Sequence, residues 1–221
     1  YENNIIFGKA NKILSHFSDK ILVANKIEQN LSEKLIKKIS IVGPIINKKI
    51  INKKNLKIEE KSDNFSILVL GGSQGAEIFG KVIPPVINEL KRENYNIEVM
   101  QQCTKSQKDE IKKFYEKNNI KNYVFEFDKN VFNLMTSSNL AITRCGATAT
   151  AELAKTKIPF IAVPLPNSID NHQLFNAIYY ESRFCCWILE QKETSLPRRS
   201  FNEKNLYDLI VDIIEKKNKL E

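Results

Sequence analysis

Short apolar runs alternate with amphipathic stretches along most of the chain. The runs predict six strands, at residues 66–70, 96–101, 123–127, 140–143, 159–163 and 184–189. Amphipathic stretches predict helices at 76–92, 106–118, 130–137, 148–156, 172–181 and 202–217, with a kink or restart at Pro84 and Pro85. Strands that are apolar on both faces are typical of buried parallel sheets. The pattern therefore predicts an α/β fold with a doubly wound, Rossmann-like parallel sheet.

The first 43 residues alternate in the same way but are too few for such a sheet of their own. They predict a helix at 8–17, a strand at 20–24, a helix at 29–38 and a strand at 39–42. We interpret residues 1–43 as the remnant of a preceding α/β domain, 44–64 as a linker and 65–221 as a complete Rossmann-like domain. A start at Tyr1 suggests a piece of a longer protein.

Composition narrows the class of protein. Hydrophobic residues make up 42% and charged residues 27%, which is typical of a globular protein rather than a disordered one. No apolar run approaches the roughly 18 residues of a membrane span. The four cysteines have neither CxxC nor metal-ligand spacing, so we expect a reducing cytoplasm and no bound metal.

The net charge of +8 is unevenly spread, since nine lysines and three glutamates lie between residues 33 and 61. A solvated linker, contact with an anionic membrane surface and nucleic-acid binding all fit this excess. Few aromatic side chains accompany the lysines, which disfavours nucleic acid because bases need aromatic platforms for stacking.

A glycine-rich turn follows the first strand of the larger domain, reading GGSQGA from Gly71 to Ala76. Glycines allow close backbone approach, and the following helix start offers N–H groups to a phosphate. An ordinary tight turn would also use glycines. The spacing fits neither a P-loop nor GxGxxG, so a simple ATPase or dehydrogenase is disfavoured.

A second motif follows the fourth strand and reads RCGATATAE from Arg144 to Glu152. Its small residues let a ligand lie against a helix start, and Glu152 is suited to accept hydrogen bonds from vicinal ribose hydroxyls. Helix packing with a solvent-facing Glu152 is the alternative. For Cys145 we favour a small buried residue over a nucleophile, since nothing nearby points to a lowered pKa.

A third motif runs from Val163 to Ala177 after the fifth strand. Asp170 or Asn171 is expected to cap a helix that begins near His172, which is a candidate for capping or for a general base. Gln173 would face the carboxyl ends of the strands. Because all three motifs lie at that same edge of the sheet, together they predict a nucleotide site.

These motifs resemble the carboxyl-terminal half of the MurG family, membrane-associated N-acetylglucosaminyltransferases that convert lipid I to lipid II in peptidoglycan synthesis. The first four residues, YENN, are similar to the family's HEQN segment, and Val42-Gly43-Pro44 to its VGNP interdomain turn. The chain departs from the family at Tyr1, at the GALT core, which reads GATA here, and at Asn47. That last position holds an arginine in the family, and Lys48 and Lys49 follow it here.

The resemblance implies a GT-B fold of two Rossmann-like domains and a site for UDP-N-acetylglucosamine. Ser73 and Gln74 would lie by the diphosphate and sugar, Glu152 would bind the ribose, and Gln173 the sugar. Further contacts are implied for Asn4 from the other domain, for the Asp128 backbone at uracil, and for Gly146, Ala147, Thr148, Ala149, Thr150 and Ala151 along the nucleotide.

The activity so implied is metal-independent, cofactor-free, inverting transfer of N-acetylglucosamine to lipid I (undecaprenyl-pyrophosphoryl-MurNAc-pentapeptide). We expect a peripheral enzyme on the cytoplasmic face of the bacterial inner membrane, in contact with anionic lipid and without nucleic acid. The catalytic base is expected before Tyr1, so residues 1–221 alone should bind the donor weakly and not turn over. Four alternatives stay open: another GT-B lipid glycosyltransferase, a UDP-sugar epimerase, a non-catalytic nucleotide-sugar-binding subunit, and a basic RNA- or membrane-binding module.

Overall fold

A six-stranded parallel sheet forms the centre of the larger part of the chain. The computed structural model describes residues 1–27, 29–51, 64–72, 76–166, 168–191 and 198–218. The strands are β1 (Ile21–Val23), β2 (Ile39–Ile41), β3 (Phe65–Leu70), β4 (Ile97–Gln102), β5 (Lys121–Phe125), β6 (Leu140–Thr143), β7 (Phe160–Ala162) and β8 (Cys186–Ile188). The helices are α1 (Lys9–Leu14), α2 (Glu33–Ile36), α3 (Lys48–Ile51), α4 (Glu77–Arg92), α5 (Lys108–Lys117), α6 (Val131–Ser137), α7 (Ala147–Thr156), α8 (His172–Glu181) and α9 (Glu203–Asn218).

The strand order in the large sheet is β5-β4-β3-β6-β7-β8, and every pair is parallel. Counted from β3, this is the 3-2-1-4-5-6 order of a dinucleotide-binding domain. The order reverses between β3 and β6, where Leu70 pairs with Thr143. The predicted doubly wound sheet is confirmed, and its switch point lies between the loops that carry the first two motifs.

Alternate side chains of β3 pack into two separate hydrophobic cores, because successive side chains of a strand point to opposite faces of the sheet. Ile67 and Val69 face a core that α4, α5 and α9 complete, whereas Leu68 and Leu70 face one that α6, α7 and α8 complete. All four side chains are buried. Helices therefore cover both faces of the sheet, which explains why its central strands are continuously apolar.

The amino-terminal residues form a small parallel sheet of β1 and β2, to which Glu2 adds a bridge at Val23. Phe7, Ile21 and Val23 form its core. The first two helices are shorter than predicted, since α1 ends at Leu14 and α2 covers only four residues. The division into an amino-terminal remnant, a linker and a large domain stays a prediction.

The expected restart at Pro84 and Pro85 is wrong, because α4 runs unbroken from Glu77 to Arg92, whereas the alternative of a kink stays a prediction. Each proline removes one helical N–H donor. However, Ile83, Val86 and neighbouring side chains of α4 are fully buried against the sheet and α9, so tertiary packing holds the helix together. A second difference is α3, a short helix inside the predicted linker.

Candidate functional site

A cavity of about 740 Å³ opens at the carboxyl ends of the strands, at the switch point. Its wall combines apolar side chains from the sheet and α6 with polar groups from the strand-end loops. Six residues implied for the nucleotide-sugar line it: Asp128, Gly146, Thr148, Ala149, Glu152 and Gln173. Leu70, Phe125, Val131 and Met135 supply apolar wall. The fold therefore brings together side chains that are far apart in the sequence.

The glycine turn after β3 forms one side of this cavity through Gly71 and Gly72. Gly72 has φ +81°, in the left-handed region that side-chain-bearing residues rarely adopt, so the turn itself requires glycine there. Ser73 and Gln74, the residues implied for the diphosphate and sugar, lie outside the described residues.

The start of α7 forms the opposite side, and Gly146 has an unusual position in it. Its φ of −65° is ordinary for any residue. Among the described residues, nothing lies within 4 Å of a Cβ built on Gly146. Neither backbone conformation nor packing within the described ranges therefore requires glycine at this position, and the open space in front of it belongs to the cavity.

The helical period divides the other implied residues of α7 between two faces. Thr148, Ala149 and Glu152 face the cavity. Thr150 and Ala151 instead are buried and lie outside the cavity wall, and their contact with the nucleotide stays a prediction. The Thr150 hydroxyl donates to the Gly146 carbonyl at 3.0 Å. Ala147 is half-buried and is not part of the cavity wall.

The Glu152 carboxylate faces both the cavity and the linker. Its Oε1 accepts the backbone N–H of Asn47 at 3.1 Å. Asn47 is the residue at the position of the family arginine, and α3 begins beside it with Lys48 and packs on α7. The linker thus contacts the carboxylate proposed for the ribose.

Gln173, in the first turn of α8, forms hydrogen bonds to the loops that follow β6 and β7. Its Oε1 accepts the backbone N–H groups of Cys145 at 3.3 Å and Leu165 at 2.9 Å. The prediction that it faces the carboxyl ends of the strands is confirmed by these contacts. The side-chain nitrogen of Gln173 is a hydrogen-bond donor, and the residue lines the cavity.

The predicted cap of α8 by Asp170 or Asn171 is wrong. Both residues have left-handed φ angles, 53° and 54°, and the Asn171 side chain makes no capping hydrogen bond. Ser168 Oγ instead accepts the backbone N–H of Gln173 at 3.4 Å, and Asp170 pairs with Lys9 at 3.4 Å. His172, the candidate base, is half-buried and is not part of the cavity wall.

The turn after β5 presents an aromatic side chain that the sequence patterns did not single out. Phe127 is 77% exposed and lines the cavity next to Asp128. The Asp128 carboxylate accepts from Tyr123 Oη at 2.9 Å and from the Asn130 backbone at 2.6 Å. The hydrogen bond to Asp128 raises the pKa of Tyr123. The predicted strand ended at Phe127, whereas β5 ends at Phe125, which leaves Phe127 on the loop.

Arg144 and Cys145 follow β6 and are both buried. Arg144 lines the cavity and was overlooked although it opens the second motif. Burial raises the pKa of the Cys145 thiol well above its ordinary value, so it is a neutral thiol at physiological pH. The interpretation of Cys145 as a small buried residue is confirmed.

Asn4 lies outside the cavity wall, in a network of half-buried and buried amides and one buried carboxylate. Its Oδ1 accepts from Asn176 Nδ2 at 3.1 Å. Glu2 accepts both N–H groups of Asn4, at 2.9 and 3.0 Å, as well as Gly8 N and Asn11 Nδ2. Burial raises the pKa of Glu2, but these hydrogen bonds outweigh it, so the net pKa is lowered.

Residues 66–221 match the model of the glycosyltransferase family 28 C-terminal domain. The chain belongs to this family. It is 34% identical over 217 residues to the UDP-N-acetylglucosamine–N-acetylmuramyl-(pentapeptide) pyrophosphoryl-undecaprenol N-acetylglucosamine transferase of Pelagibacter ubique, covering 98% of this chain and 58% of that protein. The protein of the same name from Rickettsia canadensis is 34% identical over 223 residues, with 100% and 61% covered.

The fold of this chain is similar to that of MurG from Acinetobacter baumannii in its crystal structure, with a TM-score of 0.75. The match covers 96% of this chain and 56% of that one, at 23% identity. The MurG resemblance and the GT-B fold are confirmed. The chain spans 58% and 61% of the two curated relatives' lengths.

In the part of the chain that the structure describes, no three or more His, Cys, Asp or Glu side chains are grouped so that they could hold a metal ion. No helix in that part is both long and apolar enough to cross a bilayer.

Proposed function

We propose that this protein transfers N-acetylglucosamine from UDP-N-acetylglucosamine to lipid I, with inversion, to form lipid II in peptidoglycan synthesis. The observation that carries the proposal is the cavity of about 740 Å³ at the switch point, where Asp128, Glu152 and Gln173 converge from three separate elements. Ligands of doubly wound sheets bind at this place. The name shared by the two curated relatives supports the substrates.

The nucleoside would occupy the part of the cavity between α7 and the turn after β5. Glu152 would accept hydrogen bonds from the ribose hydroxyls in place of the Asn47 N–H that it accepts now. The backbone at Asp128 would bind uracil, since the Asp128 carboxylate is already used by Tyr123 and Asn130. Phe127 offers the uracil an exposed aromatic face for stacking.

The diphosphate would lie between the glycine turn and the start of α7. Gly71 and Gly72 allow close approach there, and the open space at Gly146 gives it room. We assign Ser73 and Gln74 to the diphosphate and sugar from their place in the motif. The Gln173 amide nitrogen would bind the sugar, and Asn4 would approach it from the amino-terminal segment.

The transfer needs a base for the attacking hydroxyl and stabilisation of the departing diphosphate. Backbone N–H groups at the two helix starts supply the second without a metal or cofactor. We assign the base to none of the described residues. It belongs in the part of the relatives that this chain does not span, so we propose that residues 1–221 alone bind the donor and do not turn over.

We also propose peripheral contact with anionic lipid on the cytoplasmic face of the bacterial inner membrane, where the lipid-linked acceptor lies. The net charge of +8 supports this, because basic proteins are attracted to anionic bilayers. The test is cosedimentation with phosphatidylglycerol or phosphatidylcholine vesicles, in which only the anionic vesicles should carry the protein down. No nucleic-acid partner is proposed.

A transfer assay of the full-length protein with labelled UDP-N-acetylglucosamine and lipid I tests the activity. We expect labelled lipid II, and a lower kcat/KM for Glu152→Ala. Epimerised sugar without acceptor would indicate a UDP-sugar epimerase, and transfer to a different lipid would indicate another GT-B enzyme. Donor binding without transfer would indicate a non-catalytic subunit. RNA binding that survives Glu152→Ala and weakens steeply with salt would indicate a basic module.

A further inference from the structure

The cavity wall contains a buried cation that faces neutral acceptors. Arg144 is 8% exposed. Its Nη1 donates to the carbonyl oxygens of Val163 and Pro164, both at 3.1 Å, and its Nη2 donates to Gln191 Oε1 at 2.8 Å. Within the described ranges, no carboxylate oxygen lies within 4.0 Å of its guanidinium nitrogens.

A buried charge without an opposite charge is unfavourable, because carbonyl and amide dipoles replace only part of the lost hydration. Arginine does not escape this cost by losing its proton, since it stays charged in proteins. Arg198, a half-buried arginine, shows the usual solution, as it pairs with both Glu181 and Glu190. Among the described residues, Arg144 therefore has no carboxylate partner of the kind that Arg198 has.

The position of Arg144 indicates where that counter-charge would come from. The residue follows β6 at the switch point and lines the cavity. Its Cβ would lie 3.9 Å from a Cβ built on Gly72, so it borders the glycine turn. The guanidinium carbon lies 5.1 Å from the ring centroid of Phe79, in the first turn of α4. A cation beside a helix start makes this end of the cavity positive and favours an anion there.

We propose that Arg144 supplies the positive charge that balances the pyrophosphate of the bound nucleotide-sugar, and so makes affinity depend on the number of phosphates. This inference rests on the proposed function, because it concerns the same cavity. The carbonyl bonds hold the guanidinium in place, so its charge acts on the cavity without side-chain rearrangement. Arg144 is in this sense a specificity-determining residue for the diphosphate rather than for the uridine.

A purely structural role makes a different prediction. If Arg144 only fastened the loops after β6 and β7, its loss would weaken uridine and UDP binding by the same factor. If it balances the diphosphate, its loss would weaken UDP binding most, UMP less and uridine least. The ratio of the uridine and UDP dissociation constants therefore separates the two roles.

The experiment titrates uridine, UMP and UDP into the full-length protein, Arg144→Met and Arg144→Lys, by NMR chemical-shift changes that report weak binding. For Arg144→Met we expect UDP affinity to fall by about tenfold or more, as loss of a nearby partly buried charge requires, with uridine changed less than about twofold. Arg144→Lys should keep part of the UDP preference. Lys108→Met, which removes an exposed cation outside the cavity wall, should change neither affinity.

Each outcome is decisive. Uridine and UDP affinities that fall by the same factor in Arg144→Met, or an unchanged UDP affinity, would overturn the proposal. Neither result would contradict the nucleotide site itself. If Arg144→Met does not fold, Arg144→Lys decides. UDP and uridine affinities that fall by the same factor in Arg144→Lys would overturn the proposal. No UDP binding by the parent protein would instead overturn the proposed function.

Discussion

Asn176 donates a hydrogen bond to Asn4 over 3.1 Å, although the two residues are 172 positions apart. The same side chain accepts the Ile5 N–H at 3.0 Å and donates to the Cys145 carbonyl at 3.0 Å. It is 1% exposed. One amide on α8 therefore joins the amino-terminal segment to the loop that forms part of the nucleotide cavity, and sets their relative position.

Replacing Asn176 by Ala should lower the free energy of unfolding by about 1–3 kcal/mol, because buried backbone partners lose their hydrogen bonds. Urea denaturation measures the change. Phe175→Ala, on the same helix and 43% exposed, is the matched control and should change stability by less than about 0.5 kcal/mol. Similar losses in the two variants would contradict the role given to Asn176.

The stability of the protein should depend on pH through Glu2. Its pKa is lowered in the folded protein, because its four hydrogen bonds outweigh burial. Its contribution is therefore present above the unfolded pKa of about 4.3 and is lost as the pH falls through the folded value. In urea denaturation between about pH 6 and pH 3, the free energy of unfolding should fall less steeply with decreasing pH in Glu2→Gln than in the parent protein. An unchanged slope would contradict this account.

Gly146 and Gly72, two of the three glycines at the cavity, should respond differently to substitution. Gly146→Thr keeps a good helix cap at an ordinary φ, so stability should change by less than about 0.5 kcal/mol. Its side chain should nevertheless fill the open space and weaken UDP-N-acetylglucosamine binding about tenfold. Gly72→Ala, at φ +81°, should lower stability by roughly 1 kcal/mol. Urea denaturation measures the stability of each variant and calorimetry its affinity for UDP-N-acetylglucosamine. An affinity of Gly146→Thr equal to that of the parent would contradict the assignment of this space to the ligand.

Phe127→Ala should weaken UMP binding roughly tenfold, because an aromatic platform contributes about 1–3 kcal/mol per stacked base. The fold should be unaffected, since the ring is 77% exposed. Phe184→Ala is the control, as this ring is 98% exposed and lies outside the cavity wall. Calorimetric titration with UMP measures the effect. Equal affinity in both variants would exclude stacking on Phe127.

The sequence predicted the sheet and the edge that carries the site, for physical reasons that can be named. Buried parallel strands such as β3 and β6 are apolar at consecutive positions, and their ends are marked by glycine or polar residues. Because parallel strands share one carboxyl edge, Gly72, Glu152 and Gln173 were expected near each other, and they line one cavity. The local pattern was sufficient for this much.

Features that depend on tertiary packing were missed. The hydrogen bond of Asn176 to Asn4 and the carbonyl contacts of Arg144 join residues that no local pattern relates. Pro84 indicated a restart of the helix because propensity is a local property, whereas burial against the sheet and α9 holds α4 together as one helix. Thr150 was grouped with its neighbours although the helical period turns it inward.

The most direct test of the central claim is calorimetric titration of UDP-N-acetylglucosamine, UDP-glucose and UMP into the full-length protein and its Glu152→Ala variant. We expect binding that prefers the acetylated sugar. We also expect Glu152→Ala to lower the affinity by roughly tenfold or more, because hydrogen bonds to a carboxylate are lost. Glu116→Ala, exposed on α5, should bind as the parent does. A folded parent that binds none of these ligands, or unchanged binding by Glu152→Ala, would contradict the account.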